Sequence, residues 1–123
     1  MKVRITTPTK RTIYPDIENN SELPEGERFG VELQRPSDQT LSEASVRTEY
    51  DDTGSVRTVY DTLGMARAWV KGLVNPPEIE IDGRSRKMRV ADIFRYTELA
   101  PVLREINEAI QEMAEEGEGT KNS

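Results

Sequence analysis

The chain has 123 residues, 34% hydrophobic and 33% charged, with 17 Lys plus Arg against 23 Asp plus Glu for a formal net charge of −6. That length fits one domain with one core, and an apolar share below the roughly 45–50% of globular chains implies a small core with polar arms or tails. Cysteine and histidine are absent, which excludes zinc fingers, thiolate nucleophiles, disulfide scaffolds and histidine-based triads, while the negative balance opposes nucleic acid and anionic lipid.

In chain order, KVRIT at 2–6 and KRTIY at 10–14 alternate polar and apolar residues and predict two short strands or a hairpin arm. PDIENNSELPEGE at 15–27 lacks periodicity and is expected to be a long polar loop, with Asp16 to Glu27 able to order on a partner or simply solvated. RFGVELQR at 28–35 puts Phe29, Val31 and Leu33 on one face, the pattern of a half-buried strand. Pro36 ends that strand, and Ser37 or Asp38 can cap a helix through LSEASVRTE.

DDTGS at 51–55 is a turn. From Val56 to Val74 the apolar residues Val59, Leu63, Ala66, Val70 and Leu73 fall at helical intervals and predict one long core helix, ended by the NPP at 75–77. Ile79 and Ile81 before Asp82-Gly83 predict a hairpin with a return strand near Lys87 to Val90. ADIFRYTE reads as a short helix, and a final amphipathic helix starts near Pro101 with its stripe on Val102, Leu103, Ile106, Ala109, Ile110 and Met113. The segment EEGEGTKNS has no apolar residue and is expected to be a disordered acidic tail.

The expected architecture is α+β: a small antiparallel sheet packed by two main amphipathic helices. Its parts are an N-terminal arm or hairpin with a long polar loop at 1–27, a core at 28–116 and the tail at 117–123. The expected core is Phe29, Val31, Leu33, Val59, Leu63, Val70, Leu73, Leu103, Ile106 and Ile110. No stretch reaches the about 18 uncharged apolar residues of a membrane span, and MKVRITTPTKR lacks the apolar core of a secretory signal, so a cytoplasmic location is the default.

Arg84, Arg86, Lys87 and Arg89, with Phe94, Arg95 and Tyr96 behind them, form the densest basic cluster. It fits a solvated hairpin that balances the acidic last helix, a phosphate or nucleic-acid contact, or a site for an acidic protein. Trp69 is read either as core or as an anchor at a protein interface, where Trp is enriched. Asp51-Asp52 and the set Glu78, Glu80 and Asp82 invite a metal or acid/base reading, but the spacing of a calcium loop is missing. So are a P-loop, GxGxxG and GxSxG, and no nucleophile stands beside a base, so neither enzyme nor cofactor is implied.

The order of pieces carries a resemblance: a basic opening strand, a strand ending in RPSD, ARAWVKGLV, the hairpin EIEIDGRSRKMRVADI, an amphipathic helix and an acidic tail ending in KNS. This order resembles the small tail assembly chaperones of long-tailed bacteriophages and prophages. Many members of that family are made in two lengths, the longer by ribosomal frameshifting just before the stop codon, and Thr120-Lys121-Asn122 can be encoded ACA AAA AAC, which contains an A AAA AAC slippery heptamer, among other codings of the same peptide. The resemblance implies a non-enzymatic protein in the cytoplasm of the bacterial host, absent from the mature virion. Its implied partners are the tape measure protein and, through a longer form, the tail tube protein. The competing readings are a virion subunit of the connector or completion kind, joined into a homo-oligomer by its arm, and a small inhibitor of a host complex.

Overall fold

The computed structural model describes the backbone of residues 1–3, 9–37, 39–40, 43, 46–60 and 62–121, and the side chains of these except 46–48, 57–60 and 116–121. The strand expected at 2–6 and the side chain of Val59 therefore lie largely or wholly outside the described residues. The fold is α+β. A three-stranded antiparallel sheet has the order β1 (Lys10–Ile13), β2 (Gly30–Gln34) and β5 (Val70–Val74). Two separate hairpins accompany it: β3 (Val46–Tyr50) with β4 (Val56–Tyr60), between β2 and β5 in sequence, and β6 (Glu78–Ile81) with β7 (Arg84–Lys87), after β5. The helices whose bounds fall within the described residues are α1 (Thr62–Trp69), α2 (Val90–Arg95) and α3 (Ala100–Lys121), and Gln39, Thr40 and Glu43 also have helical backbone.

The centre of the sheet is β2, whose alternation buries Val31 and Leu33 and exposes Glu32. Ile13 of β1 faces Val31 on one side, and Val70 of β5 pairs with Leu33 on the other after a register shift at Glu32/Leu33. Residues 10–13 thus belong to the main sheet and not to a free arm. Against Val31 and Leu33 pack Ala66 and Trp69 from α1, Ile93 from α2, and Val102, Ile106, Ala109, Ile110 and Met113 from α3. The α3 stripe follows the expected spacing, with Leu99 and Leu103 half-buried at its margin. Each fully buried side chain of the Val102 and Ile106 kind contributes about 1.5–3 kcal/mol.

The long helix expected over Val56–Val74 is instead strand β4, helix α1 and strand β5 in succession. Valine, threonine and tyrosine in VRTVY favour extended backbone, and β3 pairs β4 in full register from Val46↔Tyr60 to Tyr50↔Val56. The same pairing overturns the C-terminal half of the helix expected through LSEASVRTE, because VRTEY is the matching strand; Gln39, Thr40 and Glu43 are helical, Ser37 Oγ accepts from Thr40 N at 3.2 Å as the expected cap, and residues 38, 41, 42, 44 and 45 lie outside the described residues. VRTEY and VRTVY are near-copies on either side of DDTGS. That turn closes on Asp51, whose carboxylate accepts hydrogen bonds from Thr53 N at 2.9 Å, Thr53 Oγ1 at 2.6 Å and Ser55 N at 2.8 Å, with Gly54 at φ +83°. Leu63, expected in the core, is 43% exposed because α1 begins only at Thr62 and turns its other face inward.

Two further boundaries differ. The return strand of the second hairpin is Arg84–Lys87, since Val90 already starts α2. The α3 backbone stays helical to Lys121, past Glu116 where the composition places its end, and residues 122–123 lie outside the described set. Two main helices become three, of which α3 is by far the longest.

The expected loop at 15–27 is closed by side-chain hydrogen bonds and holds two 3-10 turns, Asn20–Glu22 and Glu25–Glu27. Asn20 is buried, donates from Nδ2 to the carbonyls of Pro15 and Phe29 at 2.9 Å each, and accepts from Phe29 N at 2.8 Å. Asn75, at φ +46°, donates to the carbonyls of Gly26 at 2.9 Å and Arg28 at 3.1 Å. Both asparagines use their amides to satisfy a backbone that has no ladder partner.

Candidate docking groove

The basic cluster is divided among different jobs. Arg86 makes a bidentate ion pair with Asp92, with both N–O distances at 2.7 Å, and also donates to the carbonyl of Lys87 at 3.1 Å. Asp92, buried, additionally accepts from Arg89 N at 2.8 Å, so the pair joins β7 to the start of α2. The Arg86 hydrogen bonds hold the Asp92 carboxyl below its ordinary range against the opposing effect of burial, and Asp92 in turn raises Arg86. Arg86 is therefore a structural residue. Arg84, Lys87 and Arg89 are exposed, with Lys87 opposite Glu78 across the hairpin and Arg84 opposite Ile81. The guanidinium of Arg95 lies 5.5 Å from the ring centre of Tyr96, and that of Arg67 lies 5.2 Å from Phe94.

Trp69 is 2% exposed and sits inside the core, which removes it as a surface anchor. Its burial has a polar cost, because the indole Nε1 has no hydrogen-bond partner among the described residues. The carboxylates separate in the same way. Asp51 is occupied by its own turn, where the Thr53 hydroxyl and the Ser55 backbone lower its pKa. Among the described residues no group of three or more acidic side chains is placed to hold a metal ion. No helix among them is long and apolar enough to cross a membrane.

What the fold does assemble is a groove beside β6. The closed 15–29 loop forms one wall, β6 forms the opposite one, and the link from α2 into α3 closes the end. A first cavity of about 580 Å³ has a floor that includes Ile17, Leu23, Phe29, Ile79, Met88 and Leu99. A second cavity of about 340 Å³ continues it along β6 to Asp82 and Tyr96, sharing Ile79, Glu80, Glu98 and Leu99. Phe29 and Met88 are 3% exposed and anchor the floor to the core, whereas Leu23 is 42% exposed at the lip.

Glu18, Glu27, Glu78, Glu80 and Glu98 stand around the first cavity beside Asn20 and Asn75, and Asp82 lines its continuation; past Asp82 and Tyr96 the surface opens into a further cavity of about 720 Å³ that Arg84 and Arg86 also line. The strand alternation of β6 explains how one short segment supplies both chemistries, with Glu78 and Glu80 exposed and Ile79 and Ile81 half-buried. The Asp82-Gly83 turn, with φ +52° and +79°, folds the hairpin so that the basic strand β7 pairs alongside β6, with Lys87 opposite Glu78.

Of the residues singled out from sequence, Glu78, Glu80 and Asp82 line this groove, Arg84 and Arg86 line the cavity that adjoins it at Asp82 and Tyr96, and Lys87 and Arg89 line none of the three. Ile17, Leu23, Met88 and Leu99 are new. The isolated apolar residues Ile17 and Leu23 within an otherwise polar loop were the available sign. Comparison with protein-family models, with curated proteins and with solved structures gives no match.

Proposed function

We propose that the chain is a non-enzymatic binding protein that acts as a tail assembly chaperone in the cytoplasm of a bacterial host. In this reading it holds apolar segments of the tape measure protein during tail growth and does not remain in the mature virion. The observation that supports it best is the groove: an open, apolar floor of large side chains on a small charged domain, beside walls fixed by Asn20 and Asn75. Such a surface can cover hydrophobic side chains of a long helical partner and keep them from one another.

The test is co-expression with the cognate tape measure protein. A soluble complex that survives gel filtration with the intact chain, and is lost with Leu99→Arg at the groove floor, is the expected outcome. Tape measure protein that stays insoluble, or a complex indifferent to Leu99→Arg, contradicts the reading. Mass spectrometry of purified virions adds a second arm, because a chaperone is absent from them and a virion subunit is not.

A further inference from the structure

We infer that the groove takes a partner segment whose apolar side chains are flanked by lysine or arginine, that is, a basic amphipathic helix. The inference deepens the chaperone reading and relies on it only for the identity of the partner. The floor calls for large apolar side chains, and its volume of about 580 Å³ lies within the roughly 300–1,000 Å³ of side-chain and ligand sites. The rim calls for cations. Six acidic residues line the two cavities, and among the described residues no Lys or Arg does; Arg84 and Arg86 enter only beyond Asp82, in the adjoining cavity.

Like charges gathered around an apolar floor repel one another in the free protein, and a cationic partner removes that repulsion as it binds. An acidic partner adds to it, so the same rim that attracts one class rejects the other. The dimensions suit a helix. From Glu78 to Asp82 the groove follows β6 for four residue steps, about 13 Å, which matches two to three turns of α-helix.

The probes are two synthetic amphipathic peptides of about 18 residues, or five helical turns. Both have leucine at the same i, i+3, i+4 and i+7 positions, with lysine at the remaining positions of one and glutamate in the other. Calorimetric titration into the intact chain is expected to show binding of the Leu/Lys peptide, weakened by added salt, and none of the Leu/Glu peptide. The variant Glu78→Lys, Glu80→Lys and Glu98→Lys changes only exposed residues, and circular dichroism verifies that it remains folded. It is expected to bind the Leu/Lys peptide at least tenfold more weakly.

A control with the same net charge, Asp52→Lys, Glu108→Lys and Glu115→Lys, alters exposed acids outside the groove and is expected to change affinity less than threefold. Equal losses in the two variants, or equal affinity for both peptides, overturn the inference. So does a homodimer that is lost in the groove variant and excludes the peptide, because it assigns the groove to a second copy. Selective Leu/Lys binding together with failure of the tape measure co-expression overturns the proposed partner and leaves the chemistry of the groove standing.

Discussion

Asp92 ties two elements together through one side chain. Its two oxygens take the Arg86 fork and the Arg89 N–H, so its loss unties β7 from α2 at once. Asp92→Asn is expected to lower stability by about 1.5–3 kcal/mol, the range for hydrogen bonds to charged groups. Its pKa is lowered from 3.8 in the folded chain, so the carboxylate adds stability that is fully present above that value and is lost as pH falls through the folded pKa. Urea melts across pH 3–7 are therefore expected to show the largest gap between native and Asp92→Asn chains near neutrality, closing in acid. A gap that widens in acid contradicts this sign. Asn20 has the same weight on the other side of the groove. Asn20→Ala leaves the carbonyls of Pro15 and Phe29 and the Phe29 N–H without their partner, with an expected cost of about 2–3 kcal/mol. Hydrogen exchange at 16–29 is expected to accelerate more than in the sheet.

Among the elements, α3 and the β6–β7 hairpin were legible in sequence and the region 46–74 was not, for one physical reason. In α3 a single element spans the whole window, so its apolar period of 3.6 reports burial directly. From Val56 to Val74 three elements share the window, and valines belonging to two strands fall by coincidence at helical intervals. The stronger sign there was local: VRTEY and VRTVY flanking DDTGS, two extended segments about a turn. The groove was only half legible. Alternation in EIEI exposes its acids, but the floor comes from residues as distant as Ile17 and Leu99, brought together by closure of the 15–29 loop. At this scale Gly83→Val tests the turn that presents β6. With φ at +79° a β-branched residue is strained there, and a loss of about 1–2 kcal/mol is expected in thermal melts.

For the molecule as a whole, one core serves the sheet and the three helices and reaches the groove, whose floor residues Phe29 and Met88 belong to it and whose Ile17, Ile79 and Leu99 pack against it. Ile106, fully buried between α3 and the sheet, is expected to lose about 2–5 kcal/mol on change to alanine, whereas Leu63→Ala, at 43% exposure, is expected to lose less than about 1 kcal/mol in chemical denaturation. Function in this account sits at the edge of that core, where acids stand around its open apolar floor. The most direct measurement is amide chemical-shift mapping by NMR during titration with the Leu/Lys peptide. The account predicts saturable shifts at Ile17, Ile79, Glu80 and Leu99, with the 46–60 hairpin unmoved. Shifts confined to that hairpin, or to the exposed acids of α3, would contradict it.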